Sequence, residues 1–242
     1  MKIFVGVTDN RWFQTLSSIP DIDEVNFWQP SGTSVFGALN PGDPFLFKLH
    51  SPLNYIVGGG FFAHSTLLPV SLAWEAFGVK NGANSIIEMR SRLERYRRIS
   101  AHRHEDYQIG CIILEQPFFF DRADWISVPQ DWKPNIVRGK TYDASAVIGH
   151  ELWDAVQLRL YDRDEYRFAP PVTDLQTRYG QPTVIIPRLG QGSFRVLVTD
   201  VYDRRCAVTR ERTLPALEAA HIKPFSLSGP ICTNCSIRGM LR

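Results

Sequence analysis

Pro44-Phe45-Leu46-Phe47-Lys48-Leu49 and Tyr55-Ile56-Val57-Gly58-Gly59-Gly60-Phe61-Phe62-Ala63 are two apolar, aromatic-rich runs separated by the turn residues Pro52-Leu53-Asn54. Short apolar runs bounded by Pro, Gly and Asn read as strands, and two in succession read as a hairpin. A turn signal, Leu39-Asn40-Pro41-Gly42-Asp43, leads into the first. Outward toward the N-terminus, Val25–Trp28 is a further strand closed by Pro30-Ser31-Gly32. Lys2–Val7 is another, and Thr8-Asp9-Asn10 caps a short helix running through Leu16. Outward toward the C-terminus, Leu67–Phe77 and Ser85–Ile99 read as helices. In the second, Ile86, Ile87, Met89, Leu93 and Tyr96 share one face. Arg90, Arg92, Arg95, Arg97 and Arg98 fill the remainder, as a solvated face or a phosphate-binding stripe. Tyr107–Leu114 is a strand, Trp125, Trp132 and Gly139–Tyr142 fall in an irregular segment, and Glu151–Leu160 is a closing helix. Strands with helices inserted between them predict an α+β fold, a small curved sheet or barrel with helices outside.

The bulk numbers narrow the class. The chain has 242 residues, room for one large domain or two small ones. Charge is uneven: Arg163 to the C-terminus carries 12 Lys/Arg and 7 Asp/Glu, the remainder 15 and 18. A basic C-terminal part fits nucleic-acid contact there, or a chance surface imbalance. Cys111 lies in an apolar run, and the four cysteines suggest no disulfide framework, so a reducing, cytoplasmic location is expected. MKIFVGVTDN lacks the apolar core of a signal peptide, and no apolar run is long enough to span a membrane.

The string Arg188-Leu189-Gly190-Gln191-Gly192-Ser193-Phe194-Arg195, then Tyr202, Arg205-Cys206-Ala207-Val208-Thr209, then Leu217-Glu218-Ala219-Ala220-His221-Ile222-Lys223-Pro224, resembles the HNH (ββα-metal) endonuclease family. That resemblance implies a β-hairpin and helix gripping a divalent metal, Mg²⁺ or Mn²⁺, for phosphodiester hydrolysis. It places His221 as the general base, a role suited to an imidazole because its pKa lies near neutrality. Asn234 stands near the family's asparagine and is the metal-ligand candidate, but no histidine follows His221 where the family has its last ligand. The module is therefore expected to be incomplete, as in a truncated or frameshifted reading. Cys206–Ile222 reads as a two-stranded element turning at Thr209-Arg210-Glu211-Arg212, and Ser193–Tyr202 as a helix with Phe194, Leu197, Val198 and Val201 on one side. Cys232-Thr233-Asn234-Cys235 also invites a zinc reading, which only Cys206 and His221 could complete.

In the N-terminal part, Asn26-Phe27-Trp28-Gln29-Pro30 together with the hairpin strands looks similar to the PUA-like superfamily, in particular its EVE and ASCH branches. Glycines in a strand admit a flat ring or a backbone. On this resemblance Trp28 and Phe61 stack on an extruded base, Asn26 and Lys48 bond its edge, and Arg195, Arg204 and Arg205 add contacts from the basic part. The expected organisation is a base-reading domain over 1–160, a linker over 161–187 and a truncated nuclease module over 188–242. A PUA-like curved barrel joined to an HNH module resembles modification-dependent restriction endonucleases. The implied partner is DNA, including DNA with modified bases, with no membrane; a homodimer is left open. The alternative is a catalytically dead binding remnant that reads DNA or RNA.

Overall fold

A computed structural model describes residues 1–97 and 105–167, then Val196, Arg205, Arg210, 217–221 and 235–239. Asp9 caps the first helix: its side chain accepts from the backbone N–H of Trp12 at 2.7 Å. Strand β1 (Lys2–Thr8) leads through it into helix α1 (Asn10–Ser17). Strands β2 (Glu24–Gln29), β3 (Pro44–Leu49) and β4 (Tyr55–Pro69) follow, then helices α2 (Val70–Phe77) and α3 (Ile86–Tyr96). Strand β5 (Gln108–Phe119), the short β6 (Ile126–Ser127), β7 (Gly139–Asp143) and helix α4 (Val147–Arg167) complete this part. No helix among the described residues is long and apolar enough to cross a membrane.

The fold is mixed α+β. Six strands run in the order β2-β5-β4-β3-β1-β7, and β6 pairs with β4. The hairpin of β3 and β4 is antiparallel, as its turn residues predict, with Phe45 opposite Gly60. β1 and β3 pair in parallel, and β7 closes on β1 antiparallel. Alternation along β3 sends Phe45, Phe47 and Leu49 into one apolar cluster with α1, α2 and α3, and Leu46 into a second with Leu152 and Val156 of α4. The sheet is strongly curled. Phe27 on β2 and Phe45 on β3 lie three strands apart, roughly 14 Å in a flat sheet, yet their ring centroids are 4.7 Å apart.

Three expectations are corrected. Leu67 and Leu68 belong to β4, because they pair with Gly110 and Ile109 before Pro69 ends the ladder. Gly139–Asp143 is a strand, held by β1 although Tyr142 is its one buried residue. Helix α4 continues past Leu160 to Arg167, seven residues into the expected linker, where neither Gly nor Pro interrupts it. At the C-terminus, β8 (Leu217–His221) pairs antiparallel with β9 (Cys235–Gly239), with His221 opposite Cys235. Of the expected helix Ser193–Tyr202, Val196 is described: it is helical and buried with the first cluster, and its neighbours lie outside the described residues. Residues 206–209 likewise lie outside them.

Candidate functional site

The curl that brings β2 over β3 leaves a cavity of about 350 Å³ beside it. Five separate stretches line it: Val7, Thr8, Asp9 and Trp12 at the end of β1 and start of α1; Phe27 to Ser31 at the end of β2; His50 after β3; Tyr96 at the end of α3; and Val137 and Arg138 before β7. Backbone-directed hydrogen bonds tie these stretches together. His50 N donates to Thr8 O at 3.1 Å, Val7 N to Arg138 O at 2.9 Å, and Arg97 Nη1 to Pro30 O at 2.9 Å. The loop carrying Ser31 sits close because residue 32 is glycine; a Cβ there would lie 2.3 Å from Gln108 O.

The inner wall is aromatic. Trp12 packs edge-on against Phe27 at 5.4 Å between ring centroids. Trp28 is fixed by its indole N–H, which donates to Asn81 O at 2.9 Å. At the rim, the rings of His50 and Tyr96 lie parallel within 10°, 6.3 Å apart. Polar groups interrupt this surface. Asp9 caps α1 through Oδ1, which also lies 4.0 Å from Arg92 Nη1. Burial lowers the pKa of His50 below its ordinary value; Asp9 opposes this and Lys48 adds to it. The imidazole therefore stays neutral at neutral pH and can accept as well as donate. A pocket of this size with aromatic faces and a few fixed polar groups suits one flat, polar ring.

The expected base-reading residues separate. Trp28 lines the cavity. Asn26 is wholly buried, and its amide donates to Asn81 Oδ1 at 2.8 Å and Cys111 Sγ at 3.4 Å, so it braces the interior. Lys48 is also buried: its ammonium donates to Asn54 Oδ1 at 2.6 Å and lies 5.2 Å from the centre of the Trp132 ring, and burial lowers its pKa. Phe61 is half-buried with its ring 6.5 Å from that of Phe118, away from the cavity lining. Of the triple glycine in β4, Gly59 admits the Phe118 ring and Phe45 O, either of which a Cβ would meet within 3 Å. Arg205 is half-buried; Arg195, Arg204 and Asn234 lie outside the described residues. His221 is the last residue of β8. No group of three or more His, Cys, Asp and Glu among the described residues is placed to hold a metal ion.

Sequence reasoning missed His50, Tyr96 and Arg138, and it read Asp9 as a helix cap alone. Each lies at the end of a different element, and only the curl of the sheet gathers them. The polar residues at strand ends, Thr8-Asp9 and His50, were the available signal.

No known protein family and no curated protein matches the chain. Among solved structures it is similar to ASCH from Zymomonas mobilis, at 11% identity and TM-score 0.38, covering 64% of this chain and 94% of that one. Two single-substitution mutants of that protein match at 9% and 10% identity with TM-scores of 0.40 and 0.39, each covering 64% of this chain.

Proposed function

We propose that this chain binds nucleic acid and takes one base of the polymer into the cavity bounded by β1, β2 and the end of α3. The observation that carries this reading is the pocket itself. Its volume of about 350 Å³, its aromatic wall and the parallel His50–Tyr96 pair at its rim suit a stacked heteroaromatic ring. Asp9, Thr8, Gln29 and Ser31 offer polar groups to the ring's edge. The test is fluorescence-anisotropy titration of the full chain with short duplex and single-stranded DNA and RNA, with and without modified cytosines. Tyr96→Ala and His50→Ala remove exposed rim residues without touching the core. Each should weaken binding by about five- to a hundredfold, since base–aromatic stacking contributes about 1–3 kcal/mol. Wild-type affinity in both variants, with unchanged melting, would overturn the reading.

A second reading is favoured by one observation: His221 terminates β8 within an antiparallel pair, where the HNH resemblance puts a general base. On this reading the chain is a base-reading domain joined beyond α4 to a DNA-cleaving module. Among the described residues no group of three or more His, Cys, Asp and Glu is placed to hold a divalent cation. Plasmid nicking in Mg²⁺ or Mn²⁺, comparing wild type with His221→Ala, decides it. Metal-dependent nicking lost in the variant supports the nuclease, and equal or absent nicking leaves the binding protein.

A further inference from the structure

Two of the large hydrophobic side chains left exposed on the described surface, Tyr96 and Val137, come from different parts of the chain and both line the cavity. Val137 is 74% exposed. Isolated exposed apolar residues are ordinary; an apolar residue standing on the lip of a pocket, followed directly by the cation Arg138, is a more specific arrangement. The loop that carries it is braced from both ends. Arg138 O accepts from Val7 N at 2.9 Å, and Gly139 enters the ladder with β1 directly afterwards. Earlier in the loop, Trp132 N donates to Pro129 O and Ile136 N to Lys133 O, both near 3 Å. Asp131 is held by Tyr142 Oη at 2.9 Å and by the Lys140 ammonium. These bonds hold the backbone on both sides of Val137.

We infer that Val137 and Arg138 form a wedge for duplex nucleic acid: Val137 enters the base stack where a base has left it for the pocket, and Arg138 meets the flanking phosphate. This rests on the base-binding reading and adds to it that the target strand is paired. Taking a base from a duplex leaves an apolar gap between the neighbouring pairs, and apolar side chains inserted between base steps are a known solution. The chemistry on the lip matches that gap in both respects, an uncharged branched side chain toward the stack and a guanidinium toward the backbone. A single-stranded ligand leaves no gap and gives Val137 nothing to fill.

The test uses the full chain and three probes of one mixed sequence: the matched duplex, the same duplex with a central mismatch, and the single strand. A 2-aminopurine beside the central base reports unstacking by its fluorescence. Val137→Ser, at an exposed loop position, should weaken the matched duplex by about tenfold and abolish the 2-aminopurine rise. It should leave the single-stranded probe near wild type, because no gap forms there, and weaken the mismatched duplex less than the matched one, because its base leaves at lower cost. Val137→Leu should retain duplex binding. Tyr96→Ala should weaken all three probes alike. If Tyr96→Ala weakens all three but Val137→Ser weakens them equally or not at all, the wedge is wrong while the pocket reading stands. If neither variant changes any probe, both are wrong.

Discussion

Replacing Glu115 by Gln should make the protein more stable above neutral pH and leave it nearly unchanged in mild acid. Glu115 sits on β5 directly opposite Glu24 of β2 and is 2% exposed. Directly opposed residues of an antiparallel pair bring their Cβ atoms to about 5 Å. Lys80 is bonded to Asp23 and Glu24, and Oε1 of Glu115 has no hydrogen-bond partner among the described residues. Burial first, then the charges of Glu24 and Asp23, push the Glu115 carboxyl from 4.5 up to about 7. A carboxyl that holds its proton more tightly when folded contributes stability that is complete below its unfolded pKa. That contribution is lost as pH rises through the folded value. The loss therefore develops between about pH 4.5 and 7, and at about 1.4 kcal/mol per tenfold change in proton affinity it reaches a ceiling of about 3 kcal/mol. Gln is neutral throughout and escapes it. Thermal melts by circular dichroism from pH 4.5 to 8.5 should coincide at the acid end. They should separate to a Tm advantage of about 5–10 °C for Glu115→Gln at the alkaline end. Parallel curves for the two proteins across that range would refute the argument.

Other consequences can be measured as directly. Asp9→Ala removes the cap of α1 and should cost about 1 kcal/mol in denaturant unfolding; by removing the charge that opposes the burial of His50, it should also lower the His50 titration midpoint read by NMR. Arg92→Met should destabilise by about 2–4 kcal/mol, because its buried guanidinium satisfies Gly82 O at 2.6 Å and pairs with Glu88, which would be left without it. Nucleic-acid binding should weaken steeply with salt, with a flatter slope after Arg138→Gln; a salt-independent affinity would contradict phosphate contact at the lip. Limited proteolysis should leave a stable fragment ending beyond Arg167, since α4 runs to that residue; early cuts within Phe45–Phe62 would contradict the core hairpin.

The parts legible in the sequence were those where one element declares itself. Apolar runs and turn residues were enough for β1, β2, β3 and β5, and the Asp9 cap announced α1. Gly139–Asp143 was not legible, because an edge strand that buries one residue carries almost no alternation. The pairing of β8 with Cys235–Gly239 was hidden because that segment contributes a single apolar branched residue, Ile237, and gives no strand signal of its own. Asn26 and Lys48 misled for one reason: a polar residue inside an apolar strand reads as functional until its partners are seen. Asn81 and Asn54 supply those partners from 55 and 6 residues away. Among the described residues, Trp28 was the one predicted base-reading residue that lines the cavity, since the others that line it depend on a curl no local pattern encodes.

The parallel contact of β1 with β3 has a kinetic meaning. Antiparallel neighbours can zip from a turn, but β1 and β3 are joined by a long crossover through α1 and β2, and β1 gains its other neighbour only from β7, more than a hundred residues later. The cavity draws on residues 7 to 138, so no contiguous supersecondary piece contains it. Such long-range closure is slow to nucleate and comes late in folding. The binding site should therefore appear last, when β7 docks on β1. A ligand that occupies it should slow hydrogen exchange throughout the sheet, because opening the site and opening β1 are the same event.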